Sequence, residues 1–433
     1  MKIYLAGYNT DVQFSGNTPE TLSAAYARIS RDPRPVHLLR EEACGEVERA
    51  RESNRRIVFG YGHGSVAEHA VFNFDILDVS RLAAEELQNF RLASFTEKSQ
   101  RYVRLKEDFV IPEELKAENV ERFRESMHDL HARYDALYHG LREKGFPMER
   151  AREDARYVLP MATSCQMGMT VNARELEHMV RRLSCHPFRE VRAIAVELLR
   201  LASRAAPSLF IFLEPTAMDG FAHSLQPAGK YQGDEVLLVE SDDDSMVGKL
   251  LVQWKTGAIP EESSEAWNSM SQEERLELFM EALEGLGIHD HVPRQWEFFR
   301  AIFRLVVSSG AYAQLKRHRM CTRLASVYDP SLGVTIPPGI TRAGLEELFM
   351  NGIRKAEELS GRLGVVYPYA LTNAHRRVVT LSMNGRELYH FSRLREDEHA
   401  QWDIRTTAHR MMELLRERAP LTFMLAGGKS AMT

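Results

Sequence analysis

Cysteine is scarce in this chain: four in 433 residues (Cys44, Cys165, Cys185 and Cys321), with no C-x-x-C spacing among them. That pattern argues against a disulfide framework and a thiolate zinc site. No apolar run is long enough to span a bilayer, and MKIYLAGYNT opens as a strand rather than as a signal peptide. The expectation is a cytoplasmic protein with no membrane partner. A positive net charge is missing too: the formal balance is −5, so no global field draws the chain to nucleic acid. The histidines His63, His69, His178 and His186 show no H-E-x-x-H spacing, and no metal is expected. The run from Gly60 to Ser65 is glycine-rich but lacks the lysine and the strand–loop–helix setting of a phosphate loop, which rejects a nucleoside triphosphatase. What is present is arginine in local clusters, Arg317-His318-Arg319, Arg376-Arg377 and Arg181-Arg182. Such clusters on a near-neutral background suit a small phosphorylated ligand better than a long polyanion.

An internal repeat sets the organisation. TVNARELEHMVRRLSCHPFREVRAIAVELL in the first half answers TLSMNGRELYHFSRLREDEHAQWDIRTTAHRMMELL in the second. Asn172, Arg174 and His178 match Asn384, Arg386 and His390; Arg182 and His186 match Arg395 and His399. A proline stands 21 residues after the second histidine in both, Pro207 and Pro420. Upstream, Val71 to Val79 alternates as a half-buried strand, and Ser80 caps a helix carrying Ala83, Leu87 and Phe90. In the second half Phe299, Ala301, Phe303, Leu305 and Val307 line a strand face, and Ser309 is expected to cap the next helix. Both copies begin with a short strand, Lys2 to Ala6 and Glu235 to Val239. The polar Gln226–Asp234 segment marks the boundary, giving modules 1–226 and 227–433; Pro260 to Gln272 reads as a loop entering a helix. The expected class is α+β: two tandem modules, each a mainly antiparallel sheet with long flanking helices.

Each motif carries a plain reading beside a functional one. Arg317-His318-Arg319, with Gln314 one turn earlier, could hold a pyrophosphate and a flavin ring, or could be a solvated basic face. The turn from Glu97 through Ser99 and Gln100 to Arg101 could wrap a phosphate, or carry incidental charge. Arg174 with His178, and Arg386 with His390, bring two donors together on a helix; recurrence in both copies shows common descent before it shows function.

Together these pieces resemble the flavin-dependent thymidylate synthase (ThyX) family over nearly the whole chain, twice. The first half gives GHGSVAEH at 62–69, NFRLASFTEKSQRY at 89–102, RYVLP at 156–160 and TVNARELEH at 170–178. The second gives Arg317-His318-Arg319, Asn384-Gly385-Arg386 and REDEHAQWDIR at 395–405. The resemblance implies reductive methylation of dUMP to dTMP with FAD, NADPH and methylenetetrahydrofolate, the cofactor carrying the chemistry. By the same resemblance dUMP falls to Gln314, Glu97, Ser99, Gln100, Arg101, Arg156, Arg182 and Arg395, with Ser99, Arg182 and Arg395 catalytic. FAD falls to His63, Ser65, Glu68, Asn172, Arg174, His178, Arg317, His318, Arg319, Asn384, Arg386, His390 and His399.

The copies depart from the family pattern in complementary places. The first has Asn89-Phe90-Arg91 where the triplet belongs but keeps Glu97, Ser99, Arg101 and Arg156. The second keeps the triplet but follows it with MCTRLASVYDP, and nothing there matches Arg156. The expectation is a composite site, nucleotide loop from one copy and flavin triplet from the other, in a homodimer that imitates the family's homotetramer. A related flavin enzyme acting on another nucleotide, and a non-catalytic binding paralogue, are the alternatives.

Overall fold

Alternation along a strand places successive side chains on opposite faces, and in the computed structural model Phe72, Phe74 and Ile76 are buried on a strand that exposes Asn73 and Asp75. The structure describes residues 1–14, 17–60, 62–103, 108–221, 231 and 233–431. The first copy contributes β1 (Lys2–Tyr8), α1 (Pro19–Arg28), α2 (Val36–Gly45), α3 (Val47–Asn54), β2 (Val71–Ser80), α4 (Arg81–Leu87), β3 (Ala93–Glu97), α5 (Ala117–Glu143), α6 (Met148–Ala155), β4 (Ser164–Asn172), α7 (Ala173–Ser184), α8 (Arg189–Ala205) and α9 (Ala217–Phe221). The second contributes β5 (Val236–Ser241), α10 (Asp244–Thr256), α11 (Pro260–Ser269), α12 (Gln272–Ala282), β6 (Arg300–Ser308), α13 (Ser309–Leu315), β7 (Thr322–Ala325), α14 (Pro338–Ala343), α15 (Glu346–Ser360), β8 (Arg376–Asn384), α16 (Gly385–Arg395) and α17 (Trp402–Arg418). The strands form two four-stranded antiparallel sheets of the same order, β1-β2-β4-β3 and β5-β6-β8-β7. This is the twice-repeated α+β architecture that the sequence predicts. Among the described residues, no helix is long and apolar enough to cross a membrane.

The same caps start the same helices. Ser80 Oγ accepts from Ala83 N (3.0 Å) at the start of α4, and Ser308 Oγ from Ala311 N (2.9 Å) at the start of α13. Each satisfies one of the orphan donors of a first helical turn. The cap is thus Ser308 and not Ser309, because β6 runs one residue further, with Ser308 still paired to Arg376. Ser309 instead accepts from the Tyr328 hydroxyl at 3.1 Å. Helix α4 also ends earlier than the apolar spacing suggests, stopping at Leu87 so that Phe90 lies beyond it, and the triplet follows the end of α13. Residues 260–269 form α11 instead of a loop. Pro260 occupies the first helical turn, where a missing N–H is harmless, and Ser263 and Trp267, four apart, give the helix a buried face. A Cβ on Gly248 of α10 would come within 2.3 Å of the Trp267 ring, so the two helices meet at that glycine.

The chain divides into two compact units, residues 1–225 with 337–372, and residues 226–336 with 373–433. Of the Gln226–Asp234 stretch only 231, 233 and 234 are described. The 337–372 segment, which carries α14 and α15, belongs to the first unit for specific reasons. Gly339 N donates to the buried Asp154 carboxylate at 3.1 Å, and Arg133 Nη1 to Leu348 O at 3.1 Å. Tyr369 donates to Glu190 Oε2 at 2.7 Å. That carboxylate also takes both Ser80 N and Ser80 Oγ at 2.6 Å, while burial pushes its pKa up. Backbone bonds Met161 N to Leu371 O (2.7 Å) and Ala162 N to Tyr369 O (3.0 Å) complete the seam.

Close backbone approach at Gly352 makes this docking testable. A Cβ there would stand 2.8 Å from Val158 Cγ2 and 3.0 Å from Arg133 Cδ, whereas at Gly361 the nearest atom is 3.6 Å away. Gly352→Ala is expected to destabilise the protein by about 1–3 kcal/mol through overpacking, and Gly361→Ala to leave it within about 0.5 kcal/mol. Urea unfolding of both variants checks the contrast.

Candidate functional site

In the second unit, the turn after α13 points its three polar residues in different directions. Arg317 is exposed, His318 is buried and Arg319 is half-buried. Helix α16, started by Asn384 Oδ1 accepting from Glu387 N at 2.8 Å, brings Glu387, His390 and Arg395 up to that turn. Arg395 Nε donates to His318 Nε2 at 3.0 Å, and its Nη1 donates to Gln314 Oε1 at 3.1 Å. A guanidinium can only donate, so His318 Nε2 accepts, and the ring proton sits on Nδ1, facing Glu387 Oε1 at 3.1 Å. Burial, and then the Arg395 charge, hold the His318 pKa well below its ordinary value, keeping the ring neutral. Burial raises the Glu387 pKa. Partial burial, and then the Arg317 charge, lower the Arg395 pKa to about 10, and it is still cationic at neutral pH.

The consequence is electrostatic. The bonded partners of Arg395 are an imidazole, an amide and a backbone carbonyl, none of which cancels its charge. The Arg317 guanidinium has no hydrogen bond or ion pair among the described residues, although its backbone N–H donates to Gln314 O at 3.4 Å. Two cations, with half-buried Arg319 on the same turn and exposed His390 on α16, make a positive region that suits an anionic ligand. The backbone of the turn is fixed from below, since Arg323 Nη1 donates to Lys316 O (2.9 Å) and His318 O (2.8 Å). The roles of Glu387 and Arg323 escape the motif reading. Glu387 has a usable signal in the sequence, because Glu175 stands at the same place in the first copy.

The first unit keeps a different set of the motif residues. Ten residues past each cap stand Phe90 and His318, and six past stand Glu86 and Gln314. Phe90 is buried, edge-on to His178 at 5.5 Å, as His318 is to His390 at 5.7 Å. The aromatic packing is kept and the polar function is gone. The turn after β3 is intact: Ser99 Oγ accepts from Arg101 N (3.1 Å) and Tyr102 N (3.3 Å). Arg101 pairs with the buried Glu153 at 2.6 Å, and Glu97 takes Gln88 Nε2 at 2.9 Å with Arg81 at 3.7 Å. Gln100 and Arg156 are buried in the same unit, and burial lowers the Arg156 pKa, with Glu153 opposing and Arg81 and Arg101 reinforcing. Arg81, Arg101 and Arg156 thus gather three cations near two carboxylates. Neither Arg81 nor Glu153 is part of a motif.

Strand register shows what the second copy has in those places. Glu97 pairs with Met167 and Ala325 with Val379, each five residues before a capping asparagine. Counting on, Val327 stands where the first copy has Ser99, and Asp329 where it has Arg101. Sixteen residues before the capping asparagine stand Arg156 in the first copy and Pro368 in the second. A carboxylate in place of an arginine repels a phosphate. The loop is tied down besides: Arg377 donates from Nε to Ser326 O at 2.8 Å and lies between the rings of Tyr312 and Tyr328.

The remaining candidates take up local duties. Asn172 caps α7 through Glu175 N (2.8 Å), as Asn384 caps α16. Arg174 pairs with Glu68 at 2.5 Å and Arg386 with Glu297 at 2.6 Å. His63 meets Arg31 at 3.3 Å, and Ser65 is exposed. Arg182 is half-buried, whereas His399 stands on an exposed turn beside Asp397 at 3.0 Å. Ser99, Arg101 and Arg156 belong to the first unit and the triplet to the second. Among the described residues, no group of three or more His, Cys, Asp and Glu is arranged to hold a metal ion.

The His318 contacts predict a pH-dependent deficit. His318→Phe, which imports the first copy's residue, leaves Glu387 and the Arg395 Nε donor unpaired and is expected to cost about 1–3 kcal/mol. Below the ordinary histidine pKa of about 6.5 the unfolded chain binds a proton that folded His318 refuses, so wild type loses stability as the pH falls. The variant lacks that loss, and its deficit should shrink between about pH 7.5 and about pH 5.5 in urea unfolding; a constant deficit would show that His318 is not held neutral.

A family model described as thymidylate synthase complementing protein matches residues 12–208 and again 248–421. The chain is 35% identical to the flavin-dependent thymidylate synthase of Geobacter sulfurreducens over 224 residues, which is 51% of this chain and 90% of that protein. It is 32% identical to the enzyme of the same name from Clostridium tetani over 215 residues, 47% of this chain and 85% of that one. Among solved structures, a UMP/dUMP methylase PolB from Streptomyces cacaoi bound with 5-Br dUMP is similar at 22% identity and a TM-score of 0.38, over 48% of this chain and 92% of that one. With the family model matched in both halves, the chain belongs to the thymidylate synthase complementing protein family, as a tandem duplication of its module.

Proposed function

We propose that the chain is a flavin-dependent thymidylate synthase that methylates dUMP to dTMP, using FAD, NADPH and methylenetetrahydrofolate. The observation that carries this reading is the division between the copies: cations gathered around the Ser99–Arg101 turn in the first, and an arginine field held by neutral partners in the second. Each copy has lost what the other keeps, Phe90 standing for His318 and Asp329 for Arg101. Independent decay gives no reason for the losses to be complementary.

In this reading Glu97, Ser99, Gln100, Arg101 and Arg156 grip the nucleotide, two guanidiniums and a hydroxyl answering a phosphate dianion. Glu153 releases Arg101 to that phosphate. Arg317, Arg319, Arg386 and His390 hold FAD, with His63, Ser65, Glu68, Arg174, His178 and His399 as further contacts. Bound FAD supplies the redox chemistry and relays the one-carbon unit. Asn172 and Asn384 spend their side-chain oxygens on helix caps and keep their amide groups to offer. His318 acts through Arg395 as a positioning residue. Arg395, or Arg182 in the first copy, faces the pyrimidine and stabilises negative charge that develops there; a cation with neutral partners does this better than one already paired.

Purified protein should carry flavin absorbance and release tritium from C5-tritiated dUMP when given NADPH and methylenetetrahydrofolate. Arg317→Ala is expected to weaken FAD binding by about 2–3 kcal/mol, the worth of a charge-assisted phosphate bond, and Arg91→Ala far less. Arg101→Ala should raise the KM for dUMP while leaving flavin bound. Equal flavin loss in the Arg317 and Arg91 variants would defeat the division of labour.

The assembly that fits this reading is a homodimer, because two fused modules supply half of a four-module arrangement. Light scattering at micromolar concentration should give twice the 49.5 kDa chain mass; a monomer would count against it.

A further inference from the structure

The two copies place an arginine nine residues after the capping asparagine, Arg181 in α7 and Arg393 in α16. In the first copy the Nε–Nη2 edge of the guanidinium is answered. Arg181 donates from Nε to Asp219 Oδ2 and from Nη2 to Asp219 Oδ1, both at 3.1 Å, a bidentate pair with a carboxylate on α9. The Asp219 pKa falls to about 2; burial opposes that fall, and the Arg181 bond leads the interactions that cause it. In the second copy Arg393 Nη1 donates to Asp290 O, and the same two atoms, Nε and Nη2, have no hydrogen-bond partner among the described residues. Arg393 is nonetheless buried, at 6% exposure. Asp219 lies twelve residues after Pro207; twelve after Pro420 comes Met432, which has no carboxylate.

A guanidinium buried without an acceptor for two of its donors is costly, since the unmade bonds carry their full desolvation penalty. An acceptor for the open pair of donors is not supplied by the described residues. Nε and Nη2 are parallel and coplanar, the geometry that matches the two oxygens of a carboxylate. The loop that supplies Asp290 O is itself exposed at Glu284, Gly285, His289, Asp290 and His291, and the two open donors lie buried beneath it. The site's direction is set by the helix. Arg393 is three residues after His390, so the two share a face of α16, and His390 is itself exposed, with the His291 ring 6.5 Å away.

We propose that Arg393 is the anchor of a carboxylate-binding subsite in the second unit, in which a carboxylate-bearing small molecule takes the place that Asp219 fills in the first. The subsite lies on the His390 face of α16 and stands whether or not that face holds flavin. Its ligand is recognised by a planar two-oxygen anion, either a free dicarboxylate or the glutamyl tail of a larger molecule.

Glutarate is the first probe, with glutaramide as its uncharged match and sulfate as the control for a non-specific anion. At about ten times its Kd, glutarate should raise the Tm of the full chain by about 2–4 °C, glutaramide should not, and Arg393→Met and Arg393→Lys should abolish the shift. Arg181→Met should keep it. Phenylglyoxal labelling of wild type, mapped by mass spectrometry, gives a reading that needs no variant: Arg393 should be modified and protected by glutarate, and Arg181 unreactive in both conditions. Tetrahydropteroate compared with tetrahydrofolate separates the two sources, since only the latter protects Arg393 if the ligand is a glutamyl tail, and glutarate alone protects if it is a free dicarboxylate. Equal protection by sulfate, or an unprotected Arg393 with all probes, overturns the proposal.

Discussion

A cation is useful to a binding site only if its neighbours leave its field intact, and the second unit is built around one such cation. Arg395 is held in place by the imidazole of His318 and the amide and carbonyl of Gln314. These are good acceptors with no net charge, so the guanidinium is immobilised without being neutralised. Everything nearby follows from that arrangement. His318 must be neutral to accept, and burial keeps it so. Glu387 must take the other ring proton, and it can do so because α16 begins at Asn384, which places Glu387 on the first turn. The turn that presents Arg317 and Arg319 is fixed by Arg323 beneath it. Replacing Gln314 by the glutamate of the matching first-copy position, Glu86, would put a carboxylate against Arg395 and switch the field off.

Duplication explains why so much of the family's machinery is present and so little of it twice. Drift has been tolerated where packing survives. Phe90 keeps the edge-on ring contact that His318 makes, so the first copy lost a proton-bearing group without opening a cavity. The second copy went further at its own loop, where Asp329 reverses the charge found at Arg101 and Arg377 fills the space between two tyrosine rings. Those are changes of sign and shape, and a phosphate site does not survive them.

The parts of this design that local sequence rules specify were readable beforehand. Alternation located β2 and β6, and spacing paired Asn172 with Asn384 across the copies. What escaped depended on tertiary partners. Residues 260–272 look like a polar loop until Trp267 is seen to have a buried surface to pack on, opposite Gly248. Ser308 and Ser309 are equivalent as caps on paper, and only the length of the β6–β8 pairing chooses between them. At the candidate site, the triplet and the Ser99–Arg101 turn were found because their residues are close in sequence. Glu387, Glu153 and Arg81 were missed because each joins its partners only through packing of separate elements.

The placement of residues 337–372 in the first unit has a further consequence, for how the protein is made. Asp154, Val158 and Glu190 of the first copy find partners in Gly339, Gly352 and Tyr369, which leave the ribosome roughly 10–40 s later at elongation rates of about 5–20 residues per second. During that interval the Asp154 and Glu190 carboxylates each lack one of their partners, and the helix surface at Val158 and Arg133 lacks the chain that packs on it. The fold of the first copy therefore closes late, over contacts far apart in sequence, which slows folding. Separating the copies at the polar boundary would make that interval permanent for the first one.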